Sequence, residues 1–268
     1  MKISSWLNNA TDKLIKTSIP TARLDVELLL ADELDKDRSW LIAHSDDELT
    51  PESIKILDSK LKRRFKHEPL AYIKHSQEFY GRKFYVNKSV LVPRPESEAM
   101  IELFLEIALP PDAKVADVGC GSGALGITAV LERPGILVNF LDIDQNVFVV
   151  TKKNARSYGL AKQQFYQGNL LEAWPDTYDV LLCNLPYVPD GYMINEAAKY
   201  EPKTALFSGA DGLDHYKELF KQLSSGKFGS PFVITESLPE QHDGLMEIAH
   251  QSNYRLQAKK DFILVFKR

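Results

Sequence analysis

The sequence predicts an α/β fold: a mostly parallel sheet with an antiparallel edge pair, preceded by a small helical bundle and a β-hairpin linker. Three observations carry this. From Glu96 onward, apolar strand-like runs alternate with helical segments, as parallel strands joined by crossover helices do. The last two strand-like stretches, Tyr254–Ala258 and Phe262–Phe266, lie too close in sequence for a crossover helix, so they pair antiparallel. Before residue 75 apolar residues recur at helical spacing and strand signals are absent.

In the first part, Trp6, Leu7, Leu14 and Ile15 mark an amphipathic helix, and Leu24, Val26, Leu28, Leu29, Leu30 and Leu34 a more buried one after Pro20. Thr50 followed by Pro51 reads as an N-cap with proline at the first helical position. Ile54, Leu57, Leu61 and Phe65 then give that helix, the fourth, one apolar face. Between residues 78 and 86, aromatic β-preferring residues surround Gly81, which predicts a hairpin. The alternating part contains helix Glu96–Ile107, strand Lys114–Val118, helix Ala124–Leu131, strand Ile136–Leu141, helix Gln145–Tyr158, strand Gln164–Gln167, and buried strands at Asp179–Cys183 and Phe232–Thr235. These boundaries divide the chain into a helical domain, 1–75, a hairpin linker, 76–93, and an α/β domain, 94–268.

A net charge of −4 over 268 residues argues against holding nucleic acid by bulk charge. Two cysteines, no apolar leader in residues 1–20 and no membrane-length apolar run point to a reducing, cytoplasmic setting. The six histidines have no paired spacing for zinc, so no metal is expected.

The run Asp117-Val118-Gly119-Cys120-Gly121-Ser122-Gly123 leads a strand through a glycine-rich turn into a helix. Glycines there let ligand approach the backbone and permit the positive φ of a tight turn. The next strand ends at Asp142, where a carboxylate can accept hydrogen bonds from both ribose hydroxyls of an adenosine-containing ligand. A nucleoside cofactor is therefore expected. Gly119, Gly121 and Ala124 also satisfy a loose dinucleotide pattern, so a nicotinamide enzyme stays open at this point. Asp117 near the strand end and the antiparallel pair lean away from it. Asn169, after the following strand, is a candidate for an adenine edge, and equally a simple turn residue.

A second buried strand ends in Asn184-Leu185-Pro186-Tyr187. The Asn184 side-chain oxygen and the Leu185 carbonyl can each accept one N–H of a planar –NH2 group, while the Tyr187 ring lies against its π face. Pro186 restricts Leu185 to extended geometry. An amide or aromatic amino nitrogen is a poor nucleophile because its lone pair is delocalised. Acceptors placed where positive charge develops favour its transition state.

The glycine loop, Asp142 and Asn184–Tyr187 together resemble class I (Rossmann-like) methyltransferases of the amino-group-methylating type. Arg63-Arg64, Glu68-Pro69-Leu70-Ala71-Tyr72-Ile73, Phe79-Tyr80-Gly81, Val90 through Glu98 with its Pro93-Arg94-Pro95-Glu96 core, Glu201-Pro202, Ala205-Leu206, Gly209 and Asp211-Gly212-Leu213 sharpen this. With them the chain is similar to the HemK-type release factor glutamine methyltransferases over nearly its whole length.

That resemblance implies S-adenosylmethionine as cofactor. It implies the glutamine side-chain amide of the Gly-Gly-Gln motif in peptide chain release factors as substrate, and a helical domain that binds the partner. By matching position, Gly119, Cys120, Gly121, Ser122, Gly123, Asp142 and Asn184 are expected at the cofactor, and Asp117 and Asn169 are added as candidates there. Asn184, Leu185, Pro186 and Tyr187 are expected to hold the substrate and carry catalysis. The chain is read as a monomer with no nucleic-acid substrate. It departs from the family at Leu185, where proline is usual, at Asn169, where an acidic residue is usual, at Lys66-His67, and in its closing residues. Two alternatives stand beside this: methylation of an exocyclic base nitrogen, which the same acceptors would suit, and a non-catalytic cofactor-fold module.

Three further features read as structural. The basic stretch Lys60, Lys62, Arg63, Arg64, Lys66 and His67 suits a solvated helix end, with partner docking as the alternative. Cys120 and Cys183 read as small buried residues. Glu236, at the end of another strand, reads as a loop or helix cap, with catalysis as the alternative.

Overall fold

The computed structural model describes residues 1–160, 163–173 and 176–268. The chain divides into two compact units, 1–76 with 194–200, and 77–193 with 201–268. The hairpin therefore belongs to the second unit, and a short segment distant in sequence joins the first.

In the first unit, helices α1 (Ile3–Ile15), α2 (Ala22–Leu34), α3 (Arg38–Ala43), α4 (Pro51–Arg64) and α5 (Leu70–Lys74) follow one another. Trp6, Leu14, Val26, Leu29, Leu30, Leu57 and Leu61 form its core. Two residues expected on the buried faces lie outside: Ile15 is 58% and Leu24 38% exposed, each beyond the arc its helix turns inward. Thr50 caps α4 as its sequence predicts, its Oγ1 accepting from the Ser53 N–H at 3.1 Å. The basic stretch is not simply a solvated face. Lys60 pairs with Asp32 and Glu33, Arg63 with Glu68, and Arg64 with Asp25, so much of its charge is spent inside the unit.

The second unit opens on the hairpin β1 (Gln77–Phe79) and β2 (Arg82–Phe84). Tyr80 and Gly81 take positive φ at its tip, as tight two-residue turns require. Helix α6 (Glu98–Glu106) follows a short 3-10 turn at Pro95–Ser97. Then come β3 (Lys114–Val118), α7 (Ala124–Glu132), β4 (Leu137–Asp142), α8 (Val147–Ser157), β5 (Gln164–Gln167), β6 (Val180–Cys183), α9 (Asp214–Ser224), β7 (Phe232–Glu236), α10 (His242–Gln251), β8 (Arg255–Lys260) and β9 (Ile263–Lys267).

The sheet order is β5-β4-β3-β6-β7-β9-β8. The first five strands run parallel, and β9 lies antiparallel between β7 and β8. The order reverses between β3 and β6, and at such a switch point the loops at the carboxyl ends separate and leave a crevice. In register, Val118 at the tip of β3 stands beside Cys183 at the tip of β6, and Cys183 beside Thr235 of β7. The loops carrying Gly119, Asn184 and Glu236 therefore leave the sheet side by side. No described helix is long and apolar enough to cross a membrane.

Candidate active site

The crevice at the carboxyl edge is a cavity of about 1100 Å³ counting its open mouth. Asp117, Gly119, Cys120, Gly121, Ser122, Asp142, Asn169, Asn184, Leu185 and Pro186, all expected at the site, line it. Gly123 and Tyr187 are not among the lining residues. Gly123 faces the scaffold instead: a Cβ there would meet Thr151 Cγ2 at 2.6 Å. Gly119, Gly121 and Gly123 take φ of +70°, +51° and +79°, so this turn needs residues free of the Cβ penalty.

Asp142 fastens this turn from the next strand. Its Oδ2 accepts from the Gly121 N–H at 3.1 Å and its Oδ1 from the Asp144 N–H at 3.0 Å. A carboxylate oxygen has a second lone pair, so both oxygens can still receive ligand hydroxyls. Burial raises this carboxyl above its ordinary range, opposed by those backbone donors. Asp117 is more deeply placed: its Oδ2 accepts from the Gly126 N–H at 2.9 Å, and burial pushes its carboxyl up to about 8. Gly126 is required there, because a Cβ would meet Phe140 at 2.6 Å and Asp117 Oδ2 at 2.9 Å. Sequence reasoning missed Gly126; a fourth glycine, three residues after Gly123, was its signal.

Two α8 residues, also missed, brace the loop from behind. Thr151 Oγ1 donates to the Gly121 carbonyl at 2.7 Å, and Asn154 Nδ2 donates to the Ser122 carbonyl at 2.9 Å. Asn154 also grips both backbone groups of Tyr85, tying the segment after the hairpin to the glycine turn. Asn169 is exposed on the rim, and its carbonyl accepts from the Glu172 N–H at 3.1 Å.

On the other side of the crevice, Asn184 is turned in a definite way. Its Nδ2 donates to Ser97 Oγ at 2.9 Å and to Glu236 Oε2 at 3.0 Å, so Oδ1 is the atom left over. Among the described residues, neither Asn184 Oδ1 nor the Leu185 carbonyl accepts a hydrogen bond. Two acceptors thus remain for a ligand –NH2. Leu185 is 2% exposed, and its Cδ2 lies 3.2 Å from where a Gly119 Cβ would stand, so it fills the space beside the glycine turn. The Tyr187 hydroxyl donates to Glu236 Oε1 at 2.9 Å, and the Tyr187 carbonyl accepts from Gln241 Nε2 at 2.7 Å.

Glu236 is therefore not a cap. It is 1% exposed and bonds the side chains of Asn184 and Tyr187. Burial raises its carboxyl above the usual range, partly offset by hydrogen bonds from Ser97 and Tyr187. Tyr216 of α9 sits below this group, its hydroxyl within 3.0 Å of the Cys183 carbonyl and 2.6 Å of the Glu236 carbonyl, joining the tips of β6 and β7. The two motif segments around Arg94 and Glu201 prove to be one clamp. Arg94 Nη2 pairs with Glu201 Oε1 at 2.5 Å, and the Val92 N–H donates to Glu201 Oε2 at 3.1 Å. Their neighbours Pro93 and Pro202 both line the cavity. Cys120 and Cys183 are buried, and burial raises both thiols.

A mostly parallel seven-stranded sheet with an antiparallel β9, a glycine turn after its first strand and an acidic tip on the second make this a class I methyltransferase. The fold alone is also that of the hMettl16 catalytic domain, solved in complex with the MAT2A 3'UTR hairpin 6, with a TM-score of 0.54, 12% identity and 81% of each chain covered. Residues 5–74 match the profile described as PrmC N-terminal domain, and residues 97–204 that described as methyltransferase small domain. The chain is 33% identical to the release factor glutamine methyltransferase of Coxiella burnetii, covering 95% of this chain and 92% of that one. To the Bacillus cereus protein of the same name it is 38% identical, covering 74% and 73%. The chain belongs to the release factor glutamine methyltransferase family.

Proposed function

We propose that this protein transfers a methyl group from S-adenosylmethionine to the side-chain amide nitrogen of the glutamine in the Gly-Gly-Gln motif of peptide chain release factors. The observation that carries it is the orientation of Asn184, whose NH2 is held by Ser97 and Glu236, which leaves Oδ1 as the atom without a protein partner. Two oxygen acceptors at one strand tip match the two N–H bonds of a primary amide.

The cavity residues fit the cofactor. Gly119 and Gly121 give it bare backbone, Asp142 offers lone pairs to the ribose hydroxyls, and Asp117 offers a carboxylate to the amino group of its methionine part. Asn169 stands at the rim for the adenine. When bound, S-adenosylmethionine would supply an activated methyl group on a sulfonium sulfur, which would be left as a neutral thioether once the methyl is bonded to nitrogen. Asn184 and Leu185 hold the glutamine nitrogen and receive the positive charge that develops on its N–H groups, while Tyr187, outside the cavity lining, is tied to Glu236 through its hydroxyl. The nitrogen's extra proton then leaves to solvent, with no strong base required beforehand. The helical first unit supplies the grip on the release factor.

Mass spectrometry of a release factor incubated with enzyme and cofactor tests this. One added methyl on the Gly-Gly-Gln glutamine, absent from an RNA control, is the expected result. Methyl transfer to the RNA, with an unmodified protein, would reject it for base methylation.

A further inference from the structure

We propose, resting on the glutamine methylation above, that Glu236 is a positioning residue that fixes which way the Asn184 amide faces and makes it a stronger acceptor. Asn184 has two faces of almost equal size and opposite chemistry, and only one serves a substrate –NH2. Both Glu236 oxygens are taken as acceptors, Oε1 by the Tyr187 hydroxyl and Oε2 by Asn184, and an oxygen in that role accepts and does not donate. With Oε2 at 3.0 Å from Nδ2, the carboxyl admits only the arrangement in which the Asn184 NH2 points inward and Oδ1 outward. Turned over, Asn184 would set oxygen against oxygen inside and present its own N–H groups to the incoming amide.

Ser97 Oγ cannot enforce this alone, because a hydroxyl both donates and accepts. The same carboxyl accepts from the Tyr187 hydroxyl through Oε1, so both of its oxygens act as acceptors, one toward Tyr187 and one toward Asn184. Hydrogen bonds in series polarise one another, which draws electron density toward Asn184 Oδ1 and the Tyr187 ring as positive charge develops on the substrate nitrogen. Glu236 itself does not line the cavity and Asn184 does, so its influence is transmitted through Asn184. The place of Glu236 also makes sense of Ser97, whose Oγ closes the ring of bonds from the Pro93-Arg94-Pro95 side.

The test is Glu236→Gln in the full chain, which keeps the shape and replaces one acceptor oxygen with a donor. A glutamine can donate to Asn184 Oδ1 and so permits the turned-over amide. The expected result is a kcat toward the release factor lower by roughly 10- to 100-fold, on the scale of one lost oriented partner. The cofactor's KM should stay within about twofold and the melting temperature should change little, since the side chain keeps its shape and its buried hydrogen-bonding partners. In an Asn184→Ala background, the same change should cost about twofold or less, because its route of action is already gone. Wild-type kcat in Glu236→Gln, a full multiplicative loss on top of Asn184→Ala, or a lowered melting temperature that accounts for the loss would each overturn the role of Glu236. Wild-type enzyme inert toward the release factor would instead overturn the function proposed above and this inference with it.

Discussion

Asp142 Oδ2 accepts a hydrogen bond from the Gly121 N–H at 3.1 Å, so the carboxylate proposed for the ribose also sets the glycine turn proposed to approach the rest of the cofactor. Replacing Asp142 with Ala removes both effects. We expect S-adenosylmethionine affinity to fall by about 10-fold or more, the loss of one to two hydrogen bonds to a charged group. Isothermal calorimetry checks this. Unchanged affinity would remove Asp142 from the cofactor site.

Asn184→Ala removes one of the two acceptors while leaving the strand below it intact. The fold should persist, shown by an unchanged circular dichroism spectrum, and kcat should drop on the order of 10²-fold. Near-normal turnover by the folded variant would reject the acceptor role.

Asp117 makes cofactor binding depend on pH. Burial holds its carboxyl up to about 8, so near neutrality it is largely protonated in the free protein. A bound cation favours the ionised form and lowers that value, so binding releases a proton. Affinity should therefore rise from about pH 6 to about pH 7.5, with heats that vary with the buffer. Asp117→Asn should flatten the profile. The stability sign is opposite: a raised carboxyl contributes stability below the unfolded value that is lost as pH climbs through about 8, and the Asn variant should lose less stability over that window.

Tyr216 predicts a coupled loss. Its hydroxyl bridges the Cys183 and Glu236 carbonyls, the residues immediately before Asn184 and at the base of the Glu236 side chain. Tyr216→Phe should cost about 1–3 kcal/mol in urea unfolding through an unsatisfied buried acceptor. It should also lower kcat, because the two strand tips are no longer pinned together. Full stability with full activity would show the bridge to be dispensable.

Much of the sheet was legible because strands buried on both faces are written as short apolar runs. Lys114–Val118 falls where the sequence placed it, as does the half-exposed edge strand Gln164–Gln167, found from its aromatic centre, and others shift by one or two residues at their ends. The insertion of β9 between β7 and β8 was not legible, since strand order is decided by tertiary pairing that leaves the apolar pattern of each strand unchanged. The cofactor-side loop could be read because its requirements are local: glycines for the turn, an acid at the next strand tip. The support behind it could not. Thr151, Asn154, Ser97 and Glu236 act on partners that lie about 30 to 140 residues away along the chain, and isolated polar residues in such contexts look like caps or turns until the fold brings them together. Ile15 and Leu24 erred the other way, being apolar residues that the helical period alone could not assign to a side.

The seating of β9 beside β7 has a consequence for biosynthesis. Until residues 263–267 have left the ribosome, β7 presents a bare edge, and Glu236 at its tip lacks the neighbour that Ile263 provides in register. The glycine turn and the Asn184 loop precede β9 in the chain, so the ledge on which that asparagine is oriented is the last part to be translated. Premature stops just ahead of Ile263 should therefore yield a chain that is prone to edge-to-edge association and inert, even though every residue proposed to touch cofactor or substrate has already been translated.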